Sequence, residues 1–223
     1  MKIISLDSEW KTDLGLNGFS PTSILQLATS NSIYLIDLEI CCNFKDFDNY
    51  LYEVFTDPDI LKIGIGFDGD LSRLKQSYPD CISFQIELSG YIDLISVFAG
   101  HFKYYPGGLI GLCEILLNEK LCKLDQMSNW NQRPLRKAQI HYAACDSFVC
   151  LLIYQKLKDI GANMEVRIED MPKNTPKKVG DVCEECNSKS HFKSDCPQLK
   201  RCNVCGRSEH NALNCPCFVV KVS

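Results

Sequence analysis

Alternating and continuous runs of apolar residues predict an α/β domain over residues 1–162. Residues 3–10, 23–29 and 32–37 have strand length and are rich in β-branched or apolar side chains. The short polar break at Ser30-Asn31 separates the last two runs and favours a hairpin between them. The beginning of the domain is therefore predicted to be three consecutive strands.

Longer segments of the same domain have helical spacing. Residues 44–55, 109–117 and 135–157 repeat apolar side chains every three or four positions, and Pro134 is predicted to open the last of these helices. Residues 60–67 form a nearly continuous apolar run, which is typical of a strand covered on both faces. About 160 residues in this pattern are enough to bury a hydrophobic core.

A change of composition ends the domain. Residues 163–182 contain Pro172, Pro176 and Gly180 and are predicted to form a linker. The charge also changes: residues 172–223 carry nine Lys/Arg and five Asp/Glu, whereas residues 1–171 carry 15 and 23. The net charge of −4 therefore combines an acidic body of −8 with a basic tail of +4. The acidic average, which by itself argues against a nucleic-acid partner, does not apply to the tail.

The chain has no sequence that predicts export or membrane insertion. No apolar run reaches the roughly 18–20 residues that span a bilayer. The first ten residues are too acidic for a secretory signal peptide. We therefore predict an intracellular protein, in the nucleus or cytoplasm, with no membrane partner. In a reducing compartment, its 14 cysteines are expected to bind metal or to remain buried thiols rather than form disulfides.

Half of the cysteines lie in the tail, where one spacing occurs twice. The pattern Cys-x2-Cys-x4-His-x4-Cys spans residues 183–196 and again residues 202–215. Three thiolates and one imidazole suit tetrahedral Zn²⁺, and a segment of 14 residues needs such an ion to fold. Two structural Zn²⁺ ions are therefore predicted. Their ligands are Cys183, Cys186, His191 and Cys196 for the first, and Cys202, Cys205, His210 and Cys215 for the second.

The repeated spacing resembles the zinc knuckle of the retroviral nucleocapsid type. This resemblance implies binding of single-stranded nucleic acid, with stacked bases and neutralised phosphates. Glu184 and Glu185 stand where a stacking side chain is often found, so a protein-docking role is the alternative. The predicted nucleic-acid contacts are Lys189, Phe192, Lys193, Lys200, Arg201 and Arg207.

In the body, three short patterns place carboxylates at the ends of predicted elements. Asp7 and Glu9 are two apart on the first strand and therefore point to the same face, although acidic strand ends are common on surfaces. Asp70 follows the fourth apolar run, where a helix N-terminal aspartate is the ordinary explanation. Tyr142 and Asp146 are four apart on the last helix and share a face; the ordinary explanation for an aspartate among apolar neighbours is a buried hydrogen bond.

Together these patterns resemble the three motifs of the DEDD exonucleases, in the branch marked by tyrosine. Ribonuclease D, the Werner-type exonuclease domain and the proofreading domain of DNA polymerase I belong to this branch. Segment 128–135 (SNWNQRPL) is similar to the SNWxxRPL segment of Nibbler-like and Werner-like members, and Lys123 resembles the lysine that precedes it. The order and spacing match from residue 3 to residue 157. The resemblance implies a ribonuclease H-like mixed sheet with antiparallel first strands and helices on both faces.

The resemblance also implies a reaction and its residues. Two Mg²⁺ or Mn²⁺ ions would activate water for hydrolysis of the 3′-terminal phosphodiester and release of a nucleoside 5′-monophosphate. Asp7 would bridge both ions, Glu9 and Asp146 would hold the nucleophile-side ion, and Asp70 would support the other largely through water. Tyr142 would orient the attacking water, because a phenol is a poor base at neutral pH. The expected substrate is single-stranded or recessed RNA or DNA, with RNA favoured.

Several neighbouring residues receive ordinary structural explanations. Asp68 is predicted to be a loop residue and His141 a surface residue. Trp10 and Phe67 have the chemistry to wedge against terminal bases, although both are more often core aromatics. The alternative function is an inactive exonuclease fold that binds nucleic acid or protein. Oligomeric state does not follow from the sequence.

Overall fold

The computed structural model describes residues 2–12 and 19–165, and in it five strands form one mixed sheet. The strands are β1 (Lys2–Trp10), β2 (Thr22–Ala28), β3 (Ile33–Asp37), β4 (Ile60–Gly64) and β5 (Tyr91–Asp93), in the spatial order β3-β2-β1-β4-β5. β1, β2 and β3 are mutually antiparallel, and β4 and β5 extend the sheet in parallel from β1. The predicted α/β class and the antiparallel beginning are confirmed.

Six α-helices connect and cover these strands in the described residues. They are α1 (Leu38–Cys41), α2 (Lys45–Thr56), α3 (Phe67–Ser77), α4 (Leu94–Phe102), α5 (Gly108–Leu112) and α6 (Lys137–Asp159). A 3₁₀ turn at Ile82–Phe84 and a π-helical turn at Cys113–Leu117 complete them.

The two faces of the sheet bury different helices because side chains alternate along each strand. On β1, Ile3 packs with a cluster that includes residues of α4 and α6. The next residue, Ile4, packs with a cluster that includes residues of α2 and α3. The sheet is therefore covered on both faces, as the fourth apolar run and the family resemblance predicted.

Two predicted boundaries were wrong. The apolar run 60–67 is not one strand: β4 ends at Gly64, Gly66 adopts a left-handed conformation with φ +65°, and Phe67 begins α3. The chain can reverse there because glycine accepts positive φ without strain. The run combines a buried strand with the buried first residue of a helix, which hydrophobicity alone does not separate.

Pro134 does not open the last helix. α6 begins at Lys137, and Arg136 is its N-cap residue, with extended backbone and its N–H donating to the Gln139 side chain at 3.0 Å. The predicted helix 109–117 is also divided, since α5 continues into the π-helical turn. Within the described part of the chain, no helix combines the length and the apolar character needed to cross a lipid bilayer.

The seven cysteines of the described residues are free thiols. Cys81, Cys113 and Cys150 are buried. Cys145, for which a buried thiol was expected, is only half-buried, as are Cys41, Cys42 and Cys122.

Candidate active site

The central strand β1 presents two carboxylates to helix α6. Asp7 and Glu9 alternate with Leu6 and Ser8, and Leu6 belongs to the apolar cluster on the opposite face. Asp7 pairs with Gln26 of β2, and Glu9 with Ile24. β2 pairs with the strand along both carboxylates, whereas β4 pairs only with residues 2–5, so Asp7 and Glu9 lie where β1 extends past β4.

Helix α6 supplies the other half of the same site. The hydroxyl of Ser5 donates to the carbonyl of Ser147, which ties the helix to β1. Tyr142 and Asp146, one turn apart, face the strand, and the ring of Tyr142 packs against fully buried Trp130 with centroids 5.9 Å apart. The segment 128–135 therefore contributes by supporting the tyrosine.

Three of the predicted ligands converge. One carboxylate oxygen from each of Asp7, Glu9 and Asp146 lies within 4.8 Å of the others. Asp70 lies on α3 and lines the same cleft without belonging to this group of three. Its Oδ1 accepts a 2.6 Å hydrogen bond from the hydroxyl of Ser8. The structure thus brings the four carboxylates and Tyr142 to one cleft, with Asp70 set apart from the trio.

Lys123 is the cation closest to this group among the described contacts. Its Nζ forms a 2.6 Å ion pair with Asp146 Oδ2 and donates to the Tyr142 hydroxyl at 3.2 Å. Burial lowers the pKa of Lys123, but the carboxylates, Asp146 first, raise it more, so the net pKa lies above its usual value. Lys123 is therefore charged and links the tyrosine to the aspartate.

The carboxylates are crowded in a poorly solvated place. Burial raises the pKa of Glu9 to about 10, and the charges of Asp7 and Asp146 act in the same direction. Burial, followed by the charge of Asp146, also raises the pKa of Asp7 well above its usual range. Burial raises the pKa of Asp70 to about 6. Without further positive charge, Asp7 and Glu9 therefore favour their protonated forms.

This donor set fits divalent metal ions. Carboxylate oxygens are the ligands that Mg²⁺ and Mn²⁺ prefer, and the single charge of Lys123 leaves most of the negative charge uncompensated. Two divalent ions would compensate it and would return Asp7 and Glu9 to the ionised form. The predicted residues therefore have the right chemistry and are close enough to share metal ions.

The carboxylates line a cleft of about 570 Å³, and part of its wall is apolar. Trp10, Leu109, Ile110 and Met127 line it together with the polar groups. The guanidinium of Arg73 lies 4.5 Å from the centroid of the Trp10 ring and orients it. Trp10 is therefore placed to contact a substrate, whereas Phe67 is 1% exposed and is a core residue.

Two predictions about neighbouring residues were wrong. His141 is buried, with 7% exposure, and burial lowers its pKa; its Nε2 lies 3.3 Å from Cys145 Sγ. Helix α6 is buried over more of its surface than its apolar periodicity indicated, and His141 lies in that buried part. Asp68 is in the first turn of α3 rather than in a loop, because Gly66 ends the preceding segment.

Sequence reasoning missed the part that Ser8 takes in the site. Alternation places Ser8 on the face of β1 opposite Asp7, so only the position of α3 reveals its bond to Asp70. Lys123 was recognised only by resemblance, and its two partners follow from the fold. The eight predicted zinc ligands and the six predicted nucleic-acid contacts, all between residues 183 and 215, lie outside the described residues.

Comparisons with known proteins identify the family of this chain. The sequence model of the family described as "3'-5' exonuclease" matches residues 1–162. The exonuclease mut-7 homolog of Aedes aegypti is 33% identical over 173 residues, covering 70% of this chain and 23% of that protein. Its human counterpart is 28% identical over 173 residues, covering 70% of this chain and 20% of that protein.

Solved structures show the same fold. The EXO domain of Aedes aegypti Nibbler superposes with a TM-score of 0.61 at 31% identity, covering 72% of this chain and 81% of that domain. Escherichia coli RNase D superposes with a TM-score of 0.58 at 24% identity, and the match covers 70% of this chain and 39% of RNase D. This similarity supports the fold alone.

The chain therefore belongs to the 3′-5′ exonuclease family, in the branch of DEDD exonucleases marked by tyrosine. The family fold implies divalent metal ions at the active site. The chain spans about a fifth to a quarter of the length of the mut-7 homologs named above.

Proposed function

We propose that this chain is a metal-dependent 3′-5′ exonuclease that removes nucleotides from single-stranded or recessed 3′ ends and releases nucleoside 5′-monophosphates. The observation that carries this proposal is the convergence of Asp7, Glu9 and Asp146 within 4.8 Å, with Tyr142 held beside them by Lys123. An inactive scaffold would not need to keep three crowded carboxylates, two of them buried, beside a single lysine, since buried charge that is not fully paired opposes folding.

Each carboxylate has a distinct place in the proposed reaction. When bound, two divalent ions would neutralise the phosphate and stabilise both the attacking and the leaving oxygen. As the family resemblance implies, Asp7 would contact both ions, and Glu9 and Asp146 would hold the ion on the side of the attacking water. Asp70 is set apart by its bond to Ser8 and suits the second, more hydrated ion.

Tyr142 acts by orientation. Burial, then the charge of Asp146, raises its pKa, so the phenol stays protonated at neutral pH. Its hydroxyl accepts a hydrogen bond from Lys123 and keeps its own proton to donate. It can therefore orient the attacking water while the carboxylate-bound ions activate it.

The substrate is proposed to enter along the apolar wall of the cleft. Trp10 and Met127 offer flat or flexible surfaces on which the terminal bases can stack, which is a sequence-independent contact. RNA is favoured by the similarity of the chain to Nibbler-like members and by the predicted zinc knuckles. The discriminating experiment is digestion of matched RNA and DNA strands of one sequence, with faster RNA digestion expected.

The test of the main proposal uses the full chain and a 5′-labelled single strand. With Mg²⁺ or Mn²⁺, we expect a ladder that shortens from the 3′ end and nucleoside 5′-monophosphates as products. Chelation should stop the reaction, and restoring the metal should restart it. Undiminished digestion in chelator, or products carrying a 3′-phosphate, would contradict the proposal.

The tail is proposed to form two zinc knuckles that help to bind the strand. Support comes from the repeated ligand spacing and from the basic residues around it. The full chain should contain two Zn²⁺, and Cys186→Ser or Cys205→Ser should each remove one. If the knuckles bind nucleic acid, both variants should weaken strand binding; if affinity is unchanged, the tail serves protein docking instead.

A further inference from the structure

Gln26 is a fully buried glutamine beside the active site. Its side chain is 0% exposed, and neither its Nε2 nor its Oε1 has a hydrogen-bond partner within the described residues. Buried amides are usually paired, because leaving their donors and acceptors unmatched costs folding free energy. An unmatched amide at the centre of a sheet therefore requires an explanation.

The sheet register pairs Gln26 directly with one polar residue. Gln26 pairs with Asp7 on one side and with Leu35 on the other, and Ile24 and Ala28 precede and follow it on the same face of β2. Directly paired residues of antiparallel strands have Cβ atoms about 4.5–5.5 Å apart. Among these four neighbours on its face, only Asp7 can form a hydrogen bond with the amide.

Asp7 has room for this contact. Its Oδ1 accepts a 2.9 Å hydrogen bond from the backbone N–H of Ser8, and a carboxylate offers about four acceptor positions. A carboxylate that serves two metal ions must hold one orientation. Outer hydrogen bonds commonly fix the orientation of metal ligands.

A second buried glutamine, away from the carboxylates, has hydrogen-bond partners for its side-chain amide. Gln139 is also 0% exposed. Its Nε2 donates to Ser128 Oγ at 3.0 Å and to the carbonyl of Asn129 at 3.1 Å, and its Oε1 accepts from the backbone N–H of Arg136 at 3.0 Å. Gln139 therefore stabilises the start of α6, whereas Gln26 has no comparable bonds.

We propose that Gln26 is a positioning residue for Asp7: its carboxamide N–H, which has no partner among the described residues of this structure, donates to the Asp7 carboxylate when metal is bound and holds it in the orientation that binds metal. This inference rests on the proposed metal-dependent function and adds a residue to it. The inference predicts two effects of the Gln26 amide: it lowers the stability of the metal-free protein, and it increases the affinity of the protein for metal.

The experiment compares the full chain with Gln26→Met, which keeps the shape of the side chain and removes both polar atoms. Mn²⁺ binding is measured by calorimetry and by the rise in unfolding temperature that Mn²⁺ produces. The metal-free variant should unfold roughly 2–4 °C higher than the wild type, because an unmatched amide is gone. Its Mn²⁺ affinity should fall roughly 10–100-fold.

Gln139→Met is the matched control, and Gln26→Leu is a second variant should Gln26→Met fold poorly. The control should lower the unfolding temperature and leave Mn²⁺ affinity unchanged. Equal Mn²⁺ affinity in the wild type and the Gln26 variants would overturn the inference while leaving the metal site intact. If the wild type itself does not bind Mn²⁺, the proposed metal site fails as well, so the two failures are distinguishable.

Discussion

The same strands build two very different layers on the two faces of the sheet. Towards α2 and α3, residues such as Ile4, Leu6 and Leu25 pack with aromatic and aliphatic side chains. Towards α6, β1 and β2 present Ser5, Asp7, Glu9 and Gln26, which are polar side chains on the face that carries the carboxylate cluster.

One face of the sheet therefore contributes mainly to stability, and the other carries the residues of the proposed reaction. The apolar face gains free energy from burial, about 25 cal/mol per Å² of apolar surface. The polar face loses free energy by crowding carboxylates and by burying an amide, and metal ions are proposed to offset that loss. Neighbouring residues of one strand should therefore respond to substitution in opposite ways.

The largest expected effect is on activity and comes from Asp7→Asn. The change removes one of the three converging carboxylates, so we expect at least about a 10³-fold loss in the rate of nucleotide release. The metal-free variant should be as stable as the wild type or more so, because crowding is relieved. Activity assays and thermal unfolding measure the two effects; a variant with nearly full activity would contradict the assigned site.

Leu25→Ala tests the apolar face at a position adjacent to Gln26. Leu25 is 0% exposed, and truncating a buried leucine costs about 2–5 kcal/mol of unfolding free energy. Denaturant titration should show this loss, while kcat per folded molecule stays unchanged at low temperature. A large change in kcat would show that the two faces are coupled.

Lys123→Met removes the cation that contacts both Asp146 and Tyr142. We expect roughly a 10–100-fold lower kcat with little change in KM, because the lysine orients groups of the site rather than the strand. Lys156→Met, at an exposed position towards the other end of α6, is the matched control and should leave kcat unchanged. A loss confined to KM would instead indicate that Lys123 binds the phosphate backbone.

The smallest effect concerns the ion pair that fastens segment 128–135 to β3. Asp37 accepts a hydrogen bond from Arg133, and this bond, opposed by partial burial, lowers the pKa of Asp37. A lowered pKa stabilises the fold above the ordinary pKa of aspartate, about 3.9, and this stabilisation is lost as the pH falls further. Asp37 is 23% exposed, so solvent weakens the pair and Asp37→Asn should cost less than about 1 kcal/mol at pH 7.

The measurement for Asp37→Asn is the difference in unfolding free energy between the wild type and the variant. It should shrink between pH 5 and pH 2, where the wild-type carboxylate becomes protonated. A constant difference over this range would show that the pair contributes through shape rather than charge.

Much of the site could be predicted because it depends on local geometry. Two residues apart on a strand share a face, and four apart on a helix share a face, so Asp7 with Glu9 and Tyr142 with Asp146 followed from spacing. Order along the chain then identified the family resemblance. Boundaries were less predictable: hydrophobicity did not show that Gly66 divides residues 60–67 or that α6 begins after Arg136.

Other features depend on segments that are distant in the chain. Ser8 is 62 residues from Asp70, and Lys123 is 23 residues from Asp146, so neither contact has a local pattern. The same holds for His141, which is buried because of what packs around α6 rather than because of its own helical period.

The sequence by itself determined the α/β class and two pairs of site residues that share a face: Asp7 with Glu9 on the first strand, and Tyr142 with Asp146 on the last helix. Both pairs follow because side-chain direction repeats with the period of the strand or helix. The repeated cysteine and histidine spacing of the tail remains a sequence prediction of zinc binding. Only the tertiary structure decided that Asp70 stands apart from the trio, that Lys123 joins Asp146 to Tyr142, and that Gln26 lies unmatched beside Asp7. These arrangements depend on how α3, α6 and the sheet pack together. That packing is set jointly by many residues that are distant in the chain, so no local pattern reveals it.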